Sequence, residues 1–199
     1  MTVLAQNFVS TTLAQAGISY AYNDIDDLKS LRRWVQRWLS PETDATHDPD
    51  PGNPWVFIEP ISGTFKRPAV TIRLLPTTGV VTQRAPASNY AVLHRFVLTS
   101  YHEDHDTTIE LGQRLWRGFT EGGDPALARF RIPMWAFGLN ARLSRYMVVL
   151  PETLSQDLAE TNEQGVWSRA LNVTIQSPRF RMAPGVPKIE SVGLSVRSA

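Results

Sequence analysis

Two imidazoles and three carboxylates fall on five consecutive residues, His102-Glu103-Asp104-His105-Asp106. These are the donors that hold divalent cations, so this run is where the sequence offers metal chemistry. The zinc-protease spacing sets two histidines four apart on one helical turn with a glutamate after the first, and here they are three apart. A polar turn whose acids face the positive end of a following helix accounts for the same residues. The first reading makes His102, Glu103 and His105 the ligands of a metal-dependent enzyme; the second needs no catalytic residue and no metal. His94 sits among Val92, Phe96 and Leu98 on one face of an apolar run, the setting of a hydrogen-bonded core histidine. There is no Gly-x-Ser-x-Gly elbow, no phosphate-cradling glycine loop and no Gly-x-Gly-x-x-Gly fingerprint. Zero cysteine removes thiolate metal sites, disulfides and cysteine nucleophiles together. The expectation is a protein without a cofactor that acts through its surfaces.

Those surfaces are rich in arginine: only Lys29, Lys66 and Lys188 of the 20 basic residues are lysine. Guanidinium groups pair bidentately and shed water readily, which suits protein interfaces, while a GC-rich coding sequence produces the same bias without any function. Of the six tryptophans, Trp34, Trp38, Trp116 and Trp167 lie on or beside packing stripes and are expected in the core; Trp55 and Trp135, beside prolines, are the interface candidates. With 20 Lys+Arg against 19 Asp+Glu the chain lacks the basic surplus of proteins that coat nucleic acid. No apolar run approaches the roughly 18 residues of a membrane span, and no basic patch followed by an apolar core marks a signal peptide, so a cytoplasm-like compartment is expected.

Residues 1–22 are weakly patterned and read as an arm or short helix. Leu28, Leu31, Val35, Trp38 and Leu39 then form the stripe of an amphipathic helix over 24–39, with Asp24, Asp26 and Asp27 at its start and Arg32, Arg33 and Arg37 toward its end. Residues 41–54 are acidic and proline-rich and read as a loop. Strands are expected at 55–59, 68–76 and 90–101, with a hairpin around Val80-Val81. A second helix over 107–120 carries Leu111, Leu115 and Phe119, and Thr107 with Glu110 fits a capping box. A strand at 146–150, a polar loop or short helix at 152–163, and a strand at 167–176 follow; in the last, Leu171, Val173 and Ile175 alternate with Asn172, Thr174 and Gln176. The prolines after Pro178 isolate a C-terminal segment expected to add to an edge strand of this chain or a neighbour. The sum is one α+β domain: a mostly antiparallel sheet of about four to six strands flanked by helices, spanning 23–177, with extended arms at 1–22 and 178–199.

This order of elements resembles the tail terminator (neck) proteins of long-tailed bacteriophages. The likeness runs over residues 24–177: a helix, a Pro/Trp-rich loop into a strand, Arg67-Pro68 leading the alternating Ala69-Val70-Thr71-Ile72, a long strand passing through acidic residues into a helix, and a late Trp-led strand, Trp167 to Gln176. The resemblance implies a structural virion protein of the neck and tail, assembled in the host cytoplasm, with no active site. It implies a ring, hexameric in the family, that caps the tail tube and meets the head-tail connector or stopper protein, while DNA passes the lumen without specific binding. It implies no membrane partner. Strand-edge pairing and arginine–carboxylate contacts would hold such a ring, with Arg73, Arg84, Arg95, Arg142, Arg145, Arg179 and Arg181 as contributors. A head-tail connector or stopper subunit is the alternative within the same class.

Overall fold

The structure, a computed structural model, describes residues 20–39, 49–59, 65–76, 79–81, 90–121, 130–162, 164–179 and 181–182. Helix α1 spans Asp24–Leu39 as expected. Asn23 caps it: its Oδ1 accepts from the N–H groups of Ile25 (2.9 Å) and Asp26 (3.2 Å), and Asp26 Oδ2 accepts from Asn23 N–H in return. Helix α2 spans His105–Glu121, and its cap lies three residues before the Thr107 of the expected capping box. Asp104 is the cap, its Oδ2 accepting from both the N–H and the hydroxyl of Thr107 at 2.8 Å. A carboxylate one turn upstream outcompetes a hydroxyl for the exposed amides, because the charged acceptor also meets the helix dipole. Those two hydrogen bonds hold the Asp104 carboxyl below its usual range.

The two helices touch where Gly118 of α2 meets Trp38 of α1. Trp38 Nε1 donates to Arg114 C=O at 2.7 Å, and a Cβ at position 118 would stand 2.6 Å from the same nitrogen. Only glycine admits that approach.

Ten strands are described: β1 Tyr20–Ala21, β2 Trp55–Ile58, β3 Ala69–Leu74, β4 Gly79–Val81, β5 Tyr90–His102, β6 Arg131–Ala136, β7 Ala141–Gln156, β8 Glu160–Thr161, β9 Trp167–Arg179 and β10 Arg181–Met182. Eight form one sheet in the order β2-β3-β5-β9-β7-β6, with β4 also on β5 and β8 also on β9; only β2 and β3 are parallel. The α+β class is as expected, and the sheet is larger than the four to six strands anticipated. Two of the extra strands arise where the sequence reads as non-strand. Residues 131–136 form β6 despite Pro133, because at the end of a sheet a residue without N–H forfeits no ladder bond. Residues 152–156 continue β7, and β8 follows, where a loop or short helix was expected. The periodicity fails there because the register slips: Leu150 pairs with Thr174 and Ser155 with Asn172, so four residues bulge opposite Val173. Thr153 Oγ1 repairs the ladder by accepting from Thr174 N–H (2.9 Å) and donating to Leu150 C=O (2.7 Å).

Both helices pack on one face, where Ile72, Leu98 and Leu171 lie in register, as do Leu74, Phe96 and Val173. Helix α2 lies over β5, β9 and β7, whereas α1 touches both β6 and β2, the two ends of the strand order, so the sheet curls around it. Side chains of α1 finish both ends. Ser30 Oγ accepts from Trp135 N–H (2.9 Å), Asp26 Oδ1 accepts from Phe137 N–H (3.1 Å), and Arg32 Nε donates to Val56 C=O (3.0 Å). Three of the edge groups that invite another strand are thereby occupied. The opposite face of the sheet carries Thr71, Arg73, Arg95, Asn172, Thr174 and Gln176.

The limits expected at 22 and 178 fall within this structure: β9 runs to Arg179, and β10 pairs antiparallel with β1, Tyr20 opposite Met182. Residues 1–19, 41–48 and 183–199, which hold most of both arms and of the acidic loop, lie outside the described residues.

Candidate functional site

Helix α1 begins over the end of the central strands, and there the apolar core gives way to charge. On β9 the inward alternation Leu171, Val173, Ile175 continues as Ser177 and Arg179. On β5 the inward residue before Phe96 is His94, and α1 presents Asp24 and Asp27 one turn apart. His94, Asp27 and Ser177 are fully buried, Arg179 nearly so, and Asp24 closes the cluster on its solvent side.

Ligand atoms of Asp24, Asp27 and His94 lie within 4.8 Å of one another, the only such trio among the described residues. The point they share is filled by Arg179 Nη2, 2.6 Å from Asp27 Oδ2, 2.6 Å from His94 Nε2 and hydrogen-bonded to Asp24. Arg179 Nη1 donates to Ser177 Oγ at 2.8 Å, and Ser177 donates to Asp27 Oδ1 at 2.5 Å. A guanidinium only donates, so His94 Nε2 is an acceptor and its ring proton sits on Nδ1. The 3.1 Å between His94 Nε2 and Asp27 Oδ2 is thus an approach of two acceptors held together by the arginine between them. His94 Nδ1 has no hydrogen-bond partner among the described residues. Burial pulls the Arg179 pKa down, but the charge and hydrogen bonds of Asp27 and Asp24 outweigh it and leave the guanidinium above its ordinary value. Burial, then the charge of Asp27, pushes the neighbouring Tyr22 phenol far up, so it stays neutral. The arginine supplies here the positive charge a metal would bring, and the cluster ties the end of β9, beside the paired β1 and β10, to the start of α1.

The His102–Asp106 run takes a different form. His102 Nδ1 accepts from Asp104 N–H (2.9 Å), Glu103 pairs with Arg67 (3.1 Å), and Asp104 caps α2. His105 sits 3.0 Å from Asp106 and edge-on to Trp167. His102, Glu103 and His105 each have separate partners and form no shared ligand set.

The interface candidates are scattered. Arg179 is inside the protein, committed to the buried cluster. Arg73 is exposed with Glu59 3.5 Å away, and Arg95 is exposed two residues off the Arg73 register on the outer face of β5. Arg142 and Arg145 are half-buried on β7, and Trp55 is half-buried edge-on to Phe57. Arg181 belongs to β10, and Arg84 lies outside the described residues.

Trp135 belongs to a surface the sequence reading missed. Arg33 of α1 lies over its ring, 3.6 Å from the centroid. Along the same junction Lys29 lies over Phe137 (5.6 Å) and Arg131 over Tyr146 (6.0 Å). These three cations and Arg37 are exposed, so α1, β6 and β7 present a seam of basic groups on aromatic rings. Partial burial and the charge of Arg37 draw the Arg33 pKa below its ordinary value. The basic end of α1 with Arg32, Arg33 and Arg37 was legible; that β6 and the turn after it would lay aromatic rings beneath Arg33 and Lys29 was not. Among the described residues no helix is long and apolar enough to cross a membrane. In comparisons with known proteins, no family model and no curated protein matches the chain.

Proposed function

We propose that this chain is a structural virion subunit of a tailed bacteriophage, the tail terminator, whose copies form a ring that caps the tail tube and joins it to the head connector. The observation that carries this reading is the order of elements: helix, Trp-led strand, Arg-Pro-led strand, long strand running into a second helix, and a late Trp-led strand, in one α+β domain. A tube-capping ring must match the last ring of the tube on one face and offer no equivalent surface on the other. A curled sheet held at both ends by one helix suits that task, since side chains of α1 take up edge groups at each end that strand pairing would use. Of the two contacts expected to hold the ring, this favours arginine–carboxylate contacts over strand addition at those ends.

Light scattering coupled to chromatography, with metal analysis on the same peak and binding to purified tail tubes, tests the reading. A metal-free particle near six times 22.3 kDa that binds tube ends is the expected result. A monomer that carries stoichiometric metal and ignores tubes overturns it.

A further inference from the structure

The net charge of +1 conceals a separation of charge. The seam on α1, β6 and β7 exposes Lys29, Arg33, Arg37 and Arg131 over half-buried aromatic rings. The hairpin that β7 and β8, in line with one another along β9, form with β9, and the adjoining start of α2, expose Asp106, Asp157 and Glu160, with Leu158, between β7 and β8, 83% exposed. Helix start and hairpin are contiguous, because His105 packs on Trp167 and Trp167 pairs with Thr161. The hairpin is held in shape: Asp157 N–H donates to Ala170 C=O (2.9 Å), Arg169 Nε donates to Asp157 C=O (3.0 Å), and Asn162 Oδ1 accepts from the N–H groups of Gln164 and Val166 at 3.0 Å. The two regions lie toward opposite ends of the strands. Glu160 is level with Ser168 of β9, while Arg131 is level, through Val148, with Gln176. Eight residues of strand is roughly 26 Å, and Arg33 over Trp135 lies farther along.

We propose that the acidic end of this hairpin of one copy, with its exposed Leu158, docks on the basic–aromatic seam of the next. Such a contact joins unlike surfaces, so it runs head to tail and closes a ring when the rotation closes. Cations held over aromatic rings are already partly desolvated and positioned, and the rings offer apolar area for Leu158. The proposal rests on the ring reading above and specifies how the copies meet.

Two reversals test it in the full chain: Arg33→Glu with Arg37→Glu on the seam, and Asp157→Lys with Glu160→Lys on the hairpin. Arg37→Glu alone serves as a second seam variant that leaves the Trp135 stack intact. Folding is checked by circular dichroism and mass by light scattering at 50 and 500 mM NaCl. Each pair should weaken self-association at least tenfold, the four-substitution chain should associate again because its surfaces are again complementary, and salt should weaken the unsubstituted protein. Rings that survive both reversals overturn the docking and leave the ring reading standing. A monomer at low salt that still binds tail tubes also overturns the docking alone, and a monomer that does not bind them overturns both. Loss of short-duplex DNA binding in the seam variant, with masses unchanged in both variants, overturns the docking by making the seam a nucleic-acid surface.

Discussion

Arg179 and Arg33 are the same residue type with opposite work to do. Arg179 is inside, where one guanidinium nitrogen serves two carboxylates and an imidazole and the other nitrogen reaches a serine. Arg33 is outside, spread over the Trp135 ring with its charge in water. An inside charge is held by the cost of leaving its partners unpaired in a low dielectric, whereas an outside charge costs the fold little and is available to a partner. Assembly is therefore expected to depend on the arginines that stability can spare.

Arg179→Ala should break the contrast most severely. It leaves Asp27 and His94 buried without their common partner, and chemical denaturation should show a loss of about 3–5 kcal/mol. Ser30→Ala comes next. Ser30 is buried and accepts the Trp135 N–H, and an orphaned amide at the sheet end should cost about 1–3 kcal/mol in the same measurement. Arg33→Ala should lose only the about 0.5–1 kcal/mol of an exposed cation–π contact, while its effect on light-scattering mass exceeds that of any change in the buried cluster that still folds. If Arg33→Ala destabilised the fold as much as Arg179→Ala, the division between inside and outside charge would be wrong.

The smallest effect concerns pH. Asp104 has a carboxyl pKa held down by its hydrogen bonds from Thr107, so the ionised form is favoured in the folded state. Its contribution is present above the pKa of an unfolded aspartate and is lost as pH falls through the lowered folded value. Asp104→Asn keeps a competent helix cap but cannot titrate. Its Tm should fall less steeply than that of the unsubstituted protein as pH drops from about 5 to 2, and an unchanged slope would remove Asp104 from the acid response.

Both helices were legible in the sequence because an amphipathic stripe with acids at its start is a local property, read from residues within one or two turns. The central strands were legible for the same reason: alternation along β9 and unbroken apolarity along β5 record how many faces each strand buries. Legibility failed wherever an element depends on its neighbour. Nothing within 152–156 shows that Thr153 will stand in for a ladder bond, and Pro133 argues against a strand unless β6 is known to lie at the end of the sheet. The buried cluster left two marks: His94, expected as a hydrogen-bonded core histidine and found so, and a serine and an arginine that continue an inward apolar alternation across the limit expected at 177, which puts Arg179 in an arm.

The sequence by itself determined the α+β class, both helices, the central strands and the basic outer face of α1 with Arg32, Arg33 and Arg37, since these follow from periodicity and charge over short stretches. Only the tertiary structure decided which arginine goes inside. Asp24, Asp27, His94 and Arg179 come from three elements up to 155 residues apart, and whether a guanidinium is a surface charge or a buried counter-ion depends on the dielectric and partners around it, which exist only once the sheet has curled around α1.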